Sequence, residues 1–268
     1  MSRFTHAGRS LLEILLVLTI GLVPMVSGLL VMVYQLERKL EENALVSVQE
    51  AIFTVDRVLD HLQTAASTAL PLAGQPCAKV LGKLERLVAG DPRIRSLVLT
   101  QDGQAYCSTI ETTSSYSPAF STPSAHVQLN FNSPVTPNDV VVELRLTYAN
   151  PGVIATAYGL ELRNELRGFQ DGLVLLLEFG ETYLWSAGDS REAQRPSQAE
   201  FFRSAMSSKH GYTVKGGYPQ GHTSQEIRQS MLQILPSLAL IGLLTGAMMY
   251  WGIFRNRASG RHAASSRG

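Results

Sequence analysis

PLAGQPCAKVLGKLERLVAGDPRIRSLVLTQDGQAYCSTIE, residues 71–111, reads as a helix, a strand, a tight turn and a returning strand. Val80, Leu81, Leu84, Leu87 and Val88 recur at helical spacing, and Gly90, Asp91 and Pro92 stop the run. Residues 94–100 are β-rich, Asp102-Gly103 is a strong two-residue hairpin signal, and residues 105–110 form the return strand. A helix over residues 78–89 carries the chain about 18 Å from Cys77. The strand brings it back about 20 Å. Cys107 therefore falls near the level of Cys77, within reach of a disulfide; two unconnected buried thiols are the alternative. A thioredoxin-like active site does not fit, because the cysteines are far from C-x-x-C spacing. A bridge closing a loop of about 30 residues would contribute roughly 3–4 kcal/mol in the chain-entropy model.

Upstream, apolar or small residues recur at Leu36, Leu40, Ala44, Val48, Ile52, Val55, Leu59, Leu62, Ala66 and Ala69, three or four apart, and Pro71 ends the run. That stripe predicts a long helix packed on its own domain. A homodimer through this juxtamembrane helix is the further expectation. Residues 11–34, LLEILLVLTIGLVPMVSGLLVMVY, and residues 234–254, ILPSLALIGLLTGAMMYWGIF, are each long enough to cross a hydrocarbon core of about 30 Å. Tyr250, Trp251 and Phe254 cluster at the end of the second stretch, where aromatic rings favour the headgroup layer. Gly242 and Gly246 in the same stretch have small-xxx-small spacing.

Charge sets the orientation. Arg3 and Arg9 precede the first span, and Arg255, Arg257, Arg261 and Arg267 follow the second. Residues 35–233 hold 17 Lys and Arg against 21 Asp and Glu. Positive flanks stay inside, which places both termini in the cytoplasm and the central domain in the periplasm, with the lipid bilayer as the first partner. The organisation expected is a cytoplasmic N-terminus (1–10), a first span (11–34), an extracytoplasmic domain (35–233), a second span (234–254) and a cytoplasmic tail (255–268).

The helix, strand, D-G turn and Tyr106-Cys107-Ser108-Thr109 tetrad, placed after a long juxtamembrane helix, resemble the CSS-motif sensor domain of bacterial cyclic-di-GMP phosphodiesterases. The resemblance implies two membrane spans in the cell inner membrane and a redox-sensitive disulfide between the motif cysteine, Cys107, and Cys77. It also implies a cytoplasmic EAL catalytic domain after the second span, and a periplasmic oxidase or protease as partners. Ser108 and Thr109 complete the motif, with Thr109 standing where the family has a second serine. Only 14 residues follow Phe254, without one Asp or Glu, so the chain reads as lacking that catalytic domain. The expected function is a non-enzymatic, disulfide-responsive sensor and regulator, with a separate cytoplasmic EAL-type partner. A truncated or split phosphodiesterase fragment is the alternative. Gly8 followed by Glu13 also resembles a type IV prepilin cleavage region, which would make the chain an assembly component. Arg9 in the first mature position and the second apolar stretch depart from that pattern.

Beyond Ser108, residues 108–124 are a Ser/Thr/Pro loop. Strands are expected at 125–131, 139–148, 153–158, 173–179, 182–187 and 212–215, and helices at 160–167 and 198–207. The sum is an α+β, PAS-like extracytoplasmic domain, an antiparallel sheet with helices against it. His6, His61, His126, His210, His222 and His262 show no metal-ligand spacing, and His210 and His222 read as flanking a surface loop. No phosphate loop or nucleophile elbow occurs, and a net charge of +1 offers no basic footprint for nucleic acid. No cofactor is expected.

Overall fold

The computed structural model describes residues 2–110, 126–131, 139–146, 150–169 and 172–265, with side chains described within residues 15–252. The fold is α+β with two antiparallel sheets. In order the elements are α1 (Ser2–Ala69), a 3-10 turn (Leu70–Leu72), α2 (Cys77–Gly90), β1 (Ser96–Gln101), β2 (Gln104–Ser108), β3 (Val127–Asn130) and β4 (Val141–Leu146). They continue with β5 (Gly152–Tyr158), α3 (Gly159–Arg167), β6 (Val174–Phe179), β7 (Thr182–Trp185), β8 (Glu200–Met206), β9 (Thr213–Tyr218) and α4 (His222–Ser265). The chain divides into two compact units, Met1–Leu40 with Gly221–Gly268, and Glu41–Gln220.

In the first unit, α1 and α4 each contain a stretch long and apolar enough to cross a membrane. Large apolar side chains stand exposed along both, among them Val23, Leu30, Leu243 and Trp251. A surface of that kind is costly in water and ordinary in lipid. The helices meet through glycines. A Cβ on Gly242 would lie 2.8 Å from the Gly21 carbonyl oxygen, and one on Gly28 would lie 2.9 Å from Leu238. Gly246 is less tightly placed, with a Cβ there meeting Val17 at 3.9 Å.

In the second unit, the first sheet has the order β2-β1-β5-β4-β3 and the second β7-β6-β9-β8. The first sheet has two unlike faces. Leu97, Ala155, Leu144 and Val127 are in register across four strands and form an apolar row. On the opposite face Ser96, Thr156, Glu143 and Gln128 are also in register, and all four are buried. The α1 stripe is buried at Ala44, Val48, Val55, Leu59, Leu62, Ala66 and Ala69, and Ile52 lies half-buried beside it. Gly216 of β9 admits this helix, since a Cβ there would reach 2.6 Å from Val48.

Several expectations are corrected. Two sheets replace the one expected, because β6–β9 pair among themselves. Residues 198–207 are not a helix: β8 runs through them as an edge strand, with a bulge between Glu200 and Arg203 and Phe201 at φ 51°. Glu, Ala, Arg and Met are good helix formers, but pairing with β9 overrides that preference. The glycine-rich stretch after His210 is mostly β9. β3 and β4 fall within the strands predicted at 125–131 and 139–148; residues 125, 147 and 148 of those expectations, and residues 111–124 of the Ser/Thr/Pro loop, lie outside the described residues.

Candidate functional site

The unit around Cys77 and Cys107 is assembled from α2, β1 and β2. Pro76 precedes α2 as its N-cap residue, and Val80 and Leu84 turn inward from the helix. Asp102 and Gly103 both have positive φ (53° and 77°), the geometry of a type I′ hairpin turn, and they fold β2 back on β1. The Asp102 amide donates to Asn150 Oδ1 at 2.6 Å, which steadies a non-glycine residue in the left-handed region. Leu99 stands opposite Cys107, on the apolar face of the sheet. The two sulfurs are bonded, with the Cα atoms 5.3 Å apart and a sequence separation of 30.

Each member of the tetrad is tied to its surroundings. Tyr106 Oη accepts the Gly74 amide at 2.7 Å, holding the segment before α2. Ser108 Oγ accepts the Ile110 amide at 3.2 Å. Thr109 Oγ1 accepts the Leu97 amide at 3.1 Å, while its own amide donates to the Leu97 carbonyl at 3.1 Å. Thr109 thus prolongs the β1–β2 ladder through its side chain, which its hydroxyl permits as well as a serine's would. Cys107 is 3% exposed and Cys77 half-buried.

A second cluster joins α1 to the β8–β9 turn. Ser207 Oγ donates to Asp56 Oδ1 at 2.7 Å, and Tyr212 Oη lies 2.9 Å from the same oxygen. Lys209 Nζ pairs with Asp60 at 2.8 Å, and His210 Nε2 lies 3.2 Å from it. The hydrogen bond from Lys209, joined by His210 and partly opposed by burial, holds the Asp60 carboxyl below its ordinary range. His210 is buried, which corrects its assignment to a surface loop. Neither this cluster nor any other among the described residues groups three or more His, Cys, Asp or Glu side chains as a metal site would. Neither Asp56 nor Asp60 stands out in the amino-acid sequence. A buried partner across 150 residues leaves no local signal.

The buried row on the first sheet was equally unforeseen. Glu143 accepts from Gln128 Nε2 at 2.9 Å and from Asn130 Nδ2 at 2.8 Å, and Ser96 Oγ lies 2.6 Å from Thr156 Oγ1.

The CSS motif domain associated with EAL matches residues 40–231. The chain belongs to this family. The CSS match takes in α2, the β1–β2 hairpin and both sheets. One curated relative, "Probable cyclic di-GMP phosphodiesterase PdeD" of Escherichia coli (strain K12), is 36% identical over 75 residues. That alignment takes in 28% of this chain and only 14% of the relative's length. The family is described as associated with EAL, and the match lies within the CSS domain.

Proposed function

We propose that the chain is the sensory part of a cyclic-di-GMP phosphodiesterase system. It is anchored in a bacterial inner membrane, with its CSS domain in the periplasm and responsive to thiol–disulfide chemistry through Cys77 and Cys107. The observation that carries this reading is the family match over a domain whose motif cysteine is bonded to Cys77. The six flanking arginines support cytoplasmic termini, and a periplasmic domain would meet the oxidising conditions in which disulfides persist. The five-stranded antiparallel sheet with α2 and α3 beside it supports a PAS-like first half.

The chain performs no catalysis in this reading. Metal-assisted phosphodiester cleavage needs carboxylates gathered around a cation, and the output passes to a cytoplasmic EAL-type partner, with a second copy of the chain alongside α1. Reduction frees α2 from β2 and opens the hairpin unit to a periplasmic protease; an oxidase reverses it. A second reading places the EAL domain on the same polypeptide, and the small share of PdeD that this chain matches favours it.

The test uses the full chain in membrane vesicles, oxidised or treated with dithiothreitol, followed by limited proteolysis. Reduction should speed cleavage between residues 77 and 107, and expression of wild-type and doubly Cys→Ser chains should change cellular cyclic-di-GMP differently. Equal cleavage with or without the bridge, and equal nucleotide levels, would sink the redox role. A reporter active only in the periplasm should work when inserted near Ser115 and fail after Gly268; the opposite pair of results overturns the topology.

A further inference from the structure

The two sulfurs of the bridge are not equivalent. Cys107 lies inside β2, 3% exposed, opposite the fully buried Leu99 and under α2. Cys77 is the first residue of α2, half-buried, with Gly74, Gln75, Pro76, Ala78 and Lys79 all exposed around it. Pro76 supplies no side-chain cap to the helix and no acidic residue stands in the first turn. Amide groups at such an end stabilise an anion placed there, and a thiolate is one. Lys79 adds a positive charge in the same turn.

Resting on the redox-responsive reading above, we infer that Cys77 is the sulfur at which the bridge opens and closes, through a mixed disulfide between Cys77 and an external thiol. In opening, a thiolate attacks Cys77 Sγ. The new S–S bond forms as the Cys77–Cys107 bond breaks, the electron pair leaves on Cys107 Sγ, and that sulfur takes a proton from solvent. A second external thiolate attacks the first one's sulfur, releasing Cys77 as thiolate. The protein cystine is reduced, and two external thiols are oxidised to a disulfide. Closure is the reverse: the Cys77 thiolate attacks an external disulfide, and Cys107 then displaces the adduct.

Two effects compete during opening. Leaving-group chemistry favours expulsion of Cys77, whose thiolate would sit at the N-terminus of α2. Access favours attack at Cys77, because the nucleophile must approach opposite the leaving sulfur and Cys107 is walled in by β1 and α2. Access decides, since Cys107 is 3% exposed while Cys77 is half-buried among exposed neighbours. During closure both effects point to Cys77.

The test begins with the oxidised full chain, alkylated first to show that no thiol is free. A brief exposure to reduced glutathione is quenched with acid, and the new thiol is alkylated and mapped by mass spectrometry. Glutathione should sit on Cys77 and the alkyl group on Cys107, by at least about tenfold over the reverse. A parallel arm uses a reduced dithiol oxidoreductase whose resolving cysteine is replaced by serine. A covalent complex through Cys77 supports a protein thiol as the source, and an adduct from glutathione alone supports a small one. In Cys107→Ser the remaining thiol should react with oxidised glutathione faster than the thiol of Cys77→Ser. The mapping on native protein keeps the result readable if either variant folds poorly. Adducts mainly on Cys107, equal adducts, or an intact bridge with no adduct at either sulfur would overturn the inference. Failure of the redox reading shows separately, as proteolysis unchanged by reduction whichever sulfur carries the adduct.

Discussion

Tyr212 Oη lies 2.9 Å from Asp56 Oδ1 and 3.0 Å from the Ile52 carbonyl oxygen, so one phenol, on the residue just before β9, grips two consecutive turns of α1. Tyr212 is 2% exposed and stacks on Phe179 with ring centroids 5.3 Å apart.

Tyr212→Phe should keep the stack and lose the grip. The Asp56 carboxylate would keep Ser207 but lose its second partner, a loss of about 1–3 kcal/mol, read as a lower urea midpoint. The pH dependence is distinctive. Burial, then the hydrogen bond to Asp56, raises the Tyr212 pKa well above the ordinary value. A raised folded value means that this contribution is complete below about pH 10, the unfolded value, and declines as pH rises beyond it. The wild-type chain should lose stability there faster than Tyr212→Phe. Parallel alkaline curves would show that the phenol is not held this way.

Asp189 behaves in the opposite sense. Burial works against its charge, but hydrogen bonds from the Arg191 side chain and amide, with Arg163 adding its charge, leave the pKa lowered. Arg163 reaches it at 2.7 Å and Arg191 at 2.9 Å. The contribution is therefore present above about pH 4 and lost as pH falls through the lower folded value. Asp189→Asn should cost about 2–3 kcal/mol near neutrality. The cost should shrink in acid, measured by denaturant unfolding at both pH values. A cost independent of pH would contradict the assignment.

Glu143 anchors the polar row of the first sheet. Replacing it with Ala strips the acceptor from Gln128 and Asn130 and should cost about 2–4 kcal/mol, seen as a drop in Tm. Glu143→Gln, which keeps one acceptor and the shape, should cost less. Equal losses would mean that the row is held by packing rather than by these hydrogen bonds.

Gly242→Leu should separate the paired helices of the first unit, because even a Cβ there falls 2.8 Å from the Gly21 carbonyl oxygen. Overpacking of this kind costs about 1–3 kcal/mol. Cysteine pairs placed across the contact should then cross-link less in vesicles, while the same change at Gly252, which meets nothing within 4 Å, should leave cross-linking intact. Identical cross-linking in both would remove the glycine contact from the account.

What the sequence made legible was local or periodic. The α1 stripe, the α2 face, the D-G turn and the alternation of β4 each rest on neighbours within about ten residues, where spacing alone carries the signal. The Cys77–Cys107 proximity followed because a helix and a strand of matched length separate them. What escaped was set by distant partners. Asp56 and Tyr212, or Glu143 and Gln128, become a pair only once strands fix their register, and β8 was misread because its helix-forming composition is overruled by β9. Gly21 was not singled out at all. A glycine in an apolar helix looks like any other until the facing backbone is in place.

Among the described strands, β2 lies at the rim of the five-stranded sheet with β1 as its neighbour. A rim strand that peels away leaves a row of bare amides and carbonyls, a template on which another extended chain can lodge. The covalent link from Cys107 to α2 shortens the excursion that β2 can make, so β1 is not surrendered to a stranger. The bridge is therefore also a guard against cross-pairing with other extended chains while the sheet assembles. Chains made without it should clump before they misfunction.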